Sequence, residues 1–296
     1  MNRGTQRPSL ECRGVCFSYQ EGTQALREVD FAAEAGEFVA LLASNGSGKT
    51  TLIKVLAGLL KPQAGVVLVD GRDIGRMSGR QLYQRVGLML QNPKDQLFGA
   101  TVEEDVAFGP RNLGLSEEEV QGRVTGCLES VGALHLRERA IHHLSFGEQK
   151  RVALAGVLAM GPSILLLDEA TAGLDPAGEA RMMRFLNRLN RGKGITVIFA
   201  THSVDMLPLF ADRICVLDLG RVLKYESARE IFHEHHMLDR AGLRLPYITA
   251  LFHDMKRYDG VPFNGLPLTV REARQELLSL LPEDLRFKDR KETNHA

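Results

Sequence analysis

The amino-acid sequence predicts an α/β fold built on a mixed, mostly parallel β-sheet. Short apolar segments alternate along the chain with longer amphipathic segments, as strands and helices do in such folds. Residues 38–43 and 164–167 are apolar at every position, which is typical of strands that are covered on both faces. A mainly helical stretch interrupts this alternation near the middle of the chain, so we expect a helical insertion in the α/β core.

In the first third of the chain, four apolar segments predict strands and one amphipathic segment predicts a helix. The helix begins at Lys49 and ends at Lys61-Pro62, because proline cannot continue it. Asp70-Gly71, directly after the third apolar segment, is typical of a tight hairpin. The predicted strands are 9–19, 38–43, 66–69 and 86–90, and the predicted helix is 49–60.

The rest of the predicted core contains three helices and four strands. Ser116 and Glu119 form the sequence pattern of a capping box ahead of an apolar helix face that includes Val120. Residues 145–160 predict a second helix that is rich in alanine and glycine. The remaining elements are predicted as strands over 164–167, 195–201, 214–217 and 222–225 and a helix over 178–189.

These elements predict one domain over residues 1–230, with a helical subdomain at about 92–160. Residues 231–296 are more polar and contain several prolines, so we expect an irregular C-terminal appendage there. Three histidines lie close together near its start: His233, His235 and His236. Since no cysteine or carboxylate pattern completes a metal site around them, we expect a solvated polar patch.

The composition narrows the class of protein. The chain has 296 residues with 37 Lys+Arg and 37 Asp+Glu, so its formal net charge is zero; a nucleic-acid-binding protein is normally basic. No run approaches the roughly 18 apolar residues of a membrane helix, and residues 1–10 have no apolar segment of the signal-peptide kind. The cysteines show no CxxC spacing. We therefore expect an intracellular protein with reduced thiols and no nucleic-acid partner.

A glycine-rich loop follows the apolar segment 38–43 and opens the next helix, which is the setting of a phosphate-binding loop. Glycines let main-chain N–H groups surround a phosphate, and the helix N-terminus favours negative charge. Lys49 would reach the β- and γ-phosphates, and the Thr50 hydroxyl would ligate Mg²⁺. The loop reads Ala43-Ser44-Asn45-Gly46-Ser47-Gly48-Lys49-Thr50. Ala43 stands where the usual pattern has glycine, and a positive φ there would cost about 1 kcal/mol.

Two carboxylates follow the apolar segment 164–167. Asp168 and Glu169 at the end of a buried strand are costly unless a cation or a ligand meets them. Asp168 suits a role in Mg²⁺ binding, and Glu169 suits polarisation of an attacking water. Upstream, Ser145 and Glu148 have the spacing of a capping box. A capped helix N-terminus is also an anion site, so both interpretations of Ser145 stay open at this point.

Taken in order, these motifs resemble the nucleotide-binding subunit of an ABC transporter. The motifs are GSGKT, Gln91, LSFGE, LLLDEA, TAGLD and His202. The resemblance covers nearly the whole chain and implies a P-loop NTPase fold and ATP hydrolysis. This sequence has Phe146 and Glu148 where glycine and glutamine are commoner in the signature motif LSFGE, and Ala170 where proline is common. These changes remove no group that the chemistry needs.

The resemblance also implies a role for each motif residue. Tyr19 would stack on adenine, and Gln91 would link the γ-phosphate and Mg²⁺ to the helical subdomain. His202 would hold the γ-phosphate and the attacking water. Asp175 would lie in the loop that crosses the interface of a head-to-tail homodimer. The implied ATP-contacting residues are Tyr19, Ser44, Asn45, Gly46, Ser47, Gly48, Lys49, Thr50 and Thr51, and, toward the ATP of a second subunit, Ser145, Gly147, Glu148 and Asp175; the catalytic set is Glu169, His202 and Gln91, and the Mg²⁺ ligands are Thr50, Gln91 and Asp168.

Three further segments narrow the resemblance to the ATPase subunits of energy-coupling-factor importers. Residues 91–98, 101–110 and 142–147 carry it, and residues 243–246 (LRLP) are similar to the cobalt/nickel branch. The resemblance implies a transmembrane coupling protein and a small substrate-capturing membrane protein as partners, at the cytoplasmic face of the cell membrane. The loop 92–98 would lie in the groove that receives helices of the coupling protein.

Other functions are compatible with part of this pattern. A vitamin-branch energy-coupling-factor ATPase is the first alternative. A non-transport ABC ATPase would share the core motifs but normally has a coiled-coil insertion or a second nucleotide domain. A regulatory nucleotide binder with weak hydrolysis and an exporter subunit are further alternatives. The expected mechanism is closure of a homodimer over ATP, followed by release after hydrolysis.

Overall fold

The computed structural model describes residues 8–282. Ten strands are present in this range: β1 Leu10–Ser18, β2 Gln24–Ala33, β3 Phe38–Leu42, β4 Ala64–Val69, β5 Arg72–Asp73, β6 Val86–Met89, β7 Ile164–Asp168, β8 Thr196–Thr201, β9 Arg213–Asp218 and β10 Arg221–Glu226. The α-helices are α1 Lys49–Leu56, α2 Gly79–Tyr83, α3 Val102–Asn112, α4 Glu117–Ser130, α5 Phe146–Ala159, α6 Pro176–Lys193, α7 Leu207–Phe210, α8 Ala228–His233, α9 His235–Arg240, α10 Tyr247–Tyr258 and α11 Val270–Leu280.

The strands form two sheets, and the larger one is mixed and mostly parallel, as the sequence predicted. Its order is β10-β9-β3-β8-β7-β6, with β10 antiparallel to β9 and the other neighbours parallel. The smaller sheet is antiparallel, in the order β2-β1-β4-β5. Strands β3 and β7 are buried along their whole length, which explains their continuous apolar sequence.

Three neighbouring parallel strands end at the same edge of the larger sheet. Leu42 at the end of β3 pairs with Thr201 of β8, and Asp168 at the end of β7 pairs with Ala200 of β8. The loops that follow these strands carry the phosphate-loop, acidic and histidine motifs of the sequence. The parallel register thus places motifs that are far apart in the chain beside one another, as is usual at the carboxyl edge of an open α/β sheet.

The sequence did not predict strand β2. Its pairing with β1 changes register at three places along the strand, and Glu28 within it has a φ of 50°. Such bulges add residues to one strand, so the two-residue alternation of buried and exposed side chains is lost. The burial pattern of β2 is irregular for this reason, and no period-two signal marks it in the sequence.

Several helix boundaries differ from the prediction. Helix α1 ends at Leu56 instead of residue 60, because Gly58 takes a left-handed φ of 74°. Helix α6 is longer than predicted, since Asp175 caps its start and Gly194, with a φ of 68°, closes its end. Helix α3 was not predicted separately; Thr101 and Glu104 form the capping box at its N-terminus.

The prediction of an irregular C-terminal segment is wrong for the part that the structure describes. Residues 228–280 contain the four helices α8 to α11. Phe252, Phe263 and Ala273 form a small apolar cluster there, while Phe232 and Leu238 belong to the main core. Short amphipathic helices with few apolar positions give a weak periodic signal, and tertiary contacts supply the missing stability. The division into 1–230, its subdomain at about 92–160, and 231–296 stays a prediction; residues 1–7 and 283–296, with most of the N-terminal segment examined for a signal peptide, lie outside the described range.

The structure also describes the helices and the cysteines that the composition had singled out. No helix in residues 8–282 is long and apolar enough to cross a membrane. Cys12, Cys16, Cys127 and Cys215 form no disulfide in the described residues, and Cys12 and Cys215 are buried.

Candidate functional site

The phosphate loop joins β3 to α1 at the carboxyl edge of the larger sheet. Gly46 and Gly48 have φ values of 81° and 100°, which glycine adopts without a Cβ clash. A Cβ on Gly48 would lie 2.6 Å from the main-chain oxygen of Ala25. The glycines are therefore needed for the shape of this loop, as its sequence pattern predicted.

Ala43 fits the loop without backbone strain. The non-glycine residues with positive φ in residues 8–282 are Glu28, Asp70, Glu169 and Leu219, so Ala43 does not pay the left-handed penalty that the sequence left open. Its side chain is fully buried at the end of β3. The methyl group of Ala43 is thus packed beside the loop, and it does not require a left-handed backbone.

Lys49 lies in the centre of the loop. Its Nζ donates hydrogen bonds to the main-chain oxygens of Ala43 (2.7 Å) and Ser44 (3.0 Å) and lies 3.8 Å from Oε1 of Glu169. Burial lowers the pKa of Lys49, and the neighbouring carboxylates act in the opposite direction. A buried ammonium at the phosphate loop is suited to binding phosphate oxygens.

The other polar loop side chains are fixed or exposed. The hydroxyls of Ser44 and Ser47 share a hydrogen bond of 2.8 Å, and Asn45 is exposed at the loop tip. Thr51 accepts or donates a 3.0 Å hydrogen bond with the hydroxyl of Tyr19. This contact ties the proposed adenine-stacking side chain directly to helix α1.

Asp168 presents an unpartnered carboxylate oxygen beside Thr50. Its side chain is 2% exposed, and its Oδ1 is buried without a hydrogen-bond partner. Burial raises the pKa of Asp168, while the Thr50 hydroxyl lowers it. A buried carboxylate oxygen without a partner is costly, and this cost is removed when a hard cation binds it. The donor chemistry of Thr50 and Asp168 therefore fits Mg²⁺.

Glu169 and His202 meet at the same strand edge. Oε1 of Glu169 lies 2.8 Å from Nδ1 of His202, although helix α6 and strand β8 separate the two residues in sequence. Glu169 is buried, whereas the His202 side chain is 55% exposed. The main chain of Glu169 has a φ of 50°, a conformation that is rare for a non-glycine residue and concentrated at functional sites.

Several of these residues line one open cleft of about 540 Å³, whereas Ser44, Ser47, Asp168 and His202 are not among its lining residues. Tyr19 packs edge-to-face on Phe17, with 5.0 Å between ring centroids, and lines the cleft together with the exposed Gln91. The cleft-lining residues among the predicted site are Tyr19, Asn45, Gly46, Gly48, Lys49, Thr50, Thr51, Gln91 and Glu169. The chain thus brings the predicted phosphate, base and adenine-stacking residues together.

The signature residues lie on a different face of the chain. Ser145 and Glu148 form the predicted capping box at the start of α5: the Ser145 main-chain N–H and hydroxyl each donate to Oε2 of Glu148 over 2.8 Å. Gly147 and Asp175 line a separate cavity of about 370 Å³. The exposed Asp175 caps α6 through a 2.5 Å hydrogen bond from the Gly178 N–H. Ser145, Gly147, Glu148 and Asp175 therefore do not join the cleft of their own chain.

The histidines near residue 235 stack on one another. Ring centroids are 3.9 Å apart for His235 and His236 and 4.5 Å apart for His235 and His253, and Nδ1 of His233 faces the main-chain oxygen of Arg229. The sequence did not associate His253 with this group. No set of three or more His, Cys, Asp or Glu side chains within the described part of the chain is arranged to hold a metal ion.

Two groups of site residues were missed by the sequence arguments. Gln24, Ala25 and Arg27 line the cleft from strand β2, and they were missed because β2 itself has no periodic signal. Lys150 of α5 contacts the main chain of Glu169. Its polar side chain on an otherwise apolar helix face was the available signal.

A phosphate loop whose lysine lies beside an acidic strand end and a histidine defines a P-loop nucleoside triphosphate-binding protein. Comparison with known proteins gives the family. The ABC transporter family model matches residues 26–172. A putative ABC transporter ATP-binding protein of Geobacter sulfurreducens is 50% identical over 90% of this chain and 95% of its own length. The energy-coupling factor transporter ATP-binding protein EcfA of Methanosphaera stadtmanae is 45% identical over 92% of this chain and 99% of its own length.

Solved structures agree with these relatives. The structure of cbiO1 from Clostridium perfringens, described as part of the ABC transporter complex cbiONQ, has a TM-score of 0.71 and 40% identity; the match covers 83% of this chain and 99% of that one. A bacterial ABC transporter cassette solved as a dimer has a TM-score of 0.68 and 29% identity, and the match covers 74% of this chain and 99% of that one. The chain belongs to the ABC transporter ATP-binding family, in its energy-coupling-factor type. It is an ABC-type ATPase and the ATP-driven energy-coupling subunit of a transporter.

Proposed function

We propose that this chain hydrolyses ATP at the cytoplasmic face of the cell membrane to drive uptake of cobalt or nickel ions. ATP hydrolysis is supported mainly by the position of Glu169. Its Oε1 contacts Nδ1 of His202 and lies 3.8 Å from Nζ of Lys49 at the phosphate loop. The similarity to the Clostridium perfringens protein, which is part of the cbiONQ complex, and the LRLP segment at 243–246 support the cobalt/nickel branch.

In the proposed reaction, ATP binds with its phosphates on the loop amides and on Lys49. Glu169 takes the role of general base toward the attacking water, and its contact with His202 orients both side chains. His202, whose side chain is about half exposed, holds the γ-phosphate and the water. Tyr19 supports the adenine, and Gln91 connects the γ-phosphate to the helical segment that follows it.

Mg²⁺ is part of this proposal through Thr50, Asp168 and Gln91. The unpartnered Oδ1 of Asp168 supports this ligand set, because a carboxylate oxygen at that depth needs a positive partner. When bound, Mg²⁺ supplies neutralisation of the charge that develops on the phosphate oxygens. The ammonium of Lys49 supplies the same kind of stabilisation.

A head-to-tail homodimer accounts for the position of the signature residues. Ser145, Gly147 and Asp175 lie away from the cleft of their own chain, and one chain carries both halves of a complete site. Two copies related by a two-fold axis would complete two sites at once. In that assembly Glu148 holds the Ser145 side chain, and the N-terminus of α5 faces the phosphates of the partner copy.

The membrane partners are proposed to dock on an apolar groove, which we call the phenylalanine groove and define by Leu97, Phe98, Ile141, Leu144 and Phe146. Phe98 is 64% exposed and Phe146 is 39% exposed. Exposed aromatic side chains around a groove of about 700 Å³ fit an amphipathic helix of a partner protein. We assign this surface to the transmembrane coupling protein, which in turn holds the small substrate-capturing protein; the chain itself does not touch the transported ion.

The substitution Glu169→Gln tests the assignment of the base. We expect turnover to fall by at least about 10²-fold, because the amide cannot accept the proton. ATP affinity should change little, and ATP should trap the variant as a dimer in size-exclusion chromatography. The exposed Glu118→Gln is the matched control and should keep normal activity. Normal multiple-turnover hydrolysis by the Glu169 variant would exclude Glu169 as the base.

The transported substrate is tested with the whole complex in proteoliposomes. The chain, the coupling protein and the substrate-capturing protein are reconstituted, and ATP-dependent uptake of labelled cobalt, nickel and a vitamin is compared. Uptake of either metal supports the proposal. Vitamin uptake without metal uptake would place the chain in the vitamin branch, which is the alternative that the same motifs allow. Hydrolysis without stimulation by any membrane partner would favour a non-transport ABC ATPase.

A further inference from the structure

Lys150 is a fully buried lysine on the signature helix α5. It lies in the first half of α5 and is 0% exposed. Its Nζ donates hydrogen bonds of 3.0 Å to the main-chain oxygens of both Glu169 and Ala170. It also lies 5.3 Å from the ring centroid of Phe146. A single side chain thus joins the signature helix to the loop that carries the proposed base.

Burying a lysine at this position carries a desolvation cost that an apolar side chain would not have. Burial lowers the pKa of Lys150 to about 8, against the opposing effect of Glu169 and Asp168. Its direct partners are uncharged main-chain oxygens, which offset only part of the cost of removing an ammonium from water. An apolar side chain of similar volume would fill the same space without that cost. The hydrogen bonds to the main-chain oxygens of residues 169 and 170 therefore distinguish Lys150 from an apolar side chain at this position.

The main chain at Glu169 needs external support. Its φ of 50° is a left-handed conformation, which a side chain with a Cβ adopts at an energetic cost. On one side, the Glu169 N–H donates to the oxygen of Ala200 over 3.0 Å. On the other side, the Glu169 oxygen accepts from Ala172 and from Lys150. These contacts set the direction of the Glu169 side chain toward His202.

We propose that Lys150 is a positioning residue that holds Glu169 in its active direction and makes that direction depend on the signature helix. The inference rests on the proposed roles of Glu169 as base and of Ser145 as a contact to the ATP of a second copy. Engagement of a second nucleotide at the start of α5 would then reach Glu169 of the same chain through Lys150. Each chain would in this way connect the two ATP sites of the homodimer.

Lys150→Met tests the inference, because methionine keeps the length and loses the donor. We expect kcat for ATP to fall by about 10- to 10²-fold while KM changes less than about threefold, as expected when a reacting group is misplaced by a fraction of an ångström. Lys150→Gln keeps an N–H donor on a shorter chain, so its kcat should lie between those of the wild type and the methionine variant. Lys61→Met, at an exposed lysine, is the matched control and should leave both constants unchanged.

A double-mutant cycle separates positioning from a general loss of structure. In a Glu169→Gln background, Lys150→Met should change the residual rate by less than about twofold, because the group that Lys150 positions is already absent. A full additional loss in that background, or an unchanged kcat in the single variant, would overturn the inference. If the methionine variant does not fold, the same cycle is run with Lys150→Gln, for which a kcat equal to that of the wild type overturns it. An inactive wild-type dimer would instead contradict the proposed function.

Discussion

Asp105 gives the sharpest structural prediction, because one carboxylate oxygen holds the loop beneath the phenylalanine groove. Oδ1 of Asp105 accepts hydrogen bonds from the main-chain N–H groups of Phe98 (2.8 Å) and Gly99 (2.9 Å). Asp105→Ala leaves both part-buried donors without this partner, and an unsatisfied donor costs about 1–3 kcal/mol when it is fully buried. The two together set an upper bound of roughly 6 kcal/mol, and movement of the loop into water would reduce the loss to about 2 kcal/mol.

Asp105→Asn should have the opposite effect at neutral pH. The amide oxygen can accept both hydrogen bonds, and the substitution removes a charge whose burial raises the pKa of Asp105 above its ordinary value of 3.8. A raised pKa in the folded state means that this carboxyl favours folding below that ordinary value and loses that contribution as pH rises through the folded pKa. The stability of the asparagine variant relative to wild type should therefore increase as pH rises from about 4 to 7.

Urea unfolding and amide hydrogen exchange measure the two effects. In Asp105→Ala, the amides of Phe98 and Gly99 should exchange at least about 10-fold faster than in wild type, while amides in the central strand β8 should change much less. In Asp105→Asn, both amides should stay protected. Equal protection of the two amides in all three proteins would refute the assignment of Asp105 as their anchor, as would an asparagine variant that is less stable than the alanine variant.

Three further predictions concern other parts of the molecule. Gly48→Ala should weaken ATP binding at least about 10-fold in calorimetry, because the left-handed φ of Gly48 disfavours a residue with a Cβ. By contrast, a Cβ at Gly126 would meet no atom within 4 Å, so Gly126→Ala should stabilise α4 by up to about 1 kcal/mol. Arg244→Ala removes a partly exposed ion pair with Asp205 and should lower the free energy of unfolding by about 1 kcal/mol and speed limited proteolysis before α10; an unchanged cleavage rate would contradict it. The free energy of unfolding of the wild type, measured relative to Lys150→Met, should rise between about pH 8 and 10.5 by up to about 1.4 kcal/mol per pH unit. The reason is that in this range the unfolded lysine holds a proton that the folded one has lost. A stability difference that does not change with pH would exclude the lowered pKa of Lys150.

The identity of the phosphate loop was predictable because its chemistry is local. Gly46, Gly48, Lys49 and Thr50 act through backbone conformation and side chains within one turn, so their order in sequence nearly determines their arrangement. The capping boxes at Ser116 and Ser145 were predictable for the same reason. Each requires only two side chains three residues apart.

Elements whose signal depends on distant contacts were not predictable in the same way. Strand β2 pairs through bulges, and its core positions are set by the partner strand. The helices after residue 228 are short, and the apolar cluster of Phe252 and Phe263 that supports two of them joins residues with no periodic relation. The contact of Lys150 with Glu169 joins a helix to the end of a strand, and the spacing of the two residues in the sequence does not predict this contact.

The sequence by itself was enough to predict the fold class and the family, because these predictions depend on short patterns that fold locally. Tertiary structure decided the rest: that Glu169 turns toward His202 with a left-handed main chain, that Asp168 is left with an unpartnered oxygen, and that the signature face lies apart from the cleft. These features arise where the ends of parallel strands meet. The register of the sheet sets that meeting, and it is formed by hydrogen bonds between segments that are far apart in the chain.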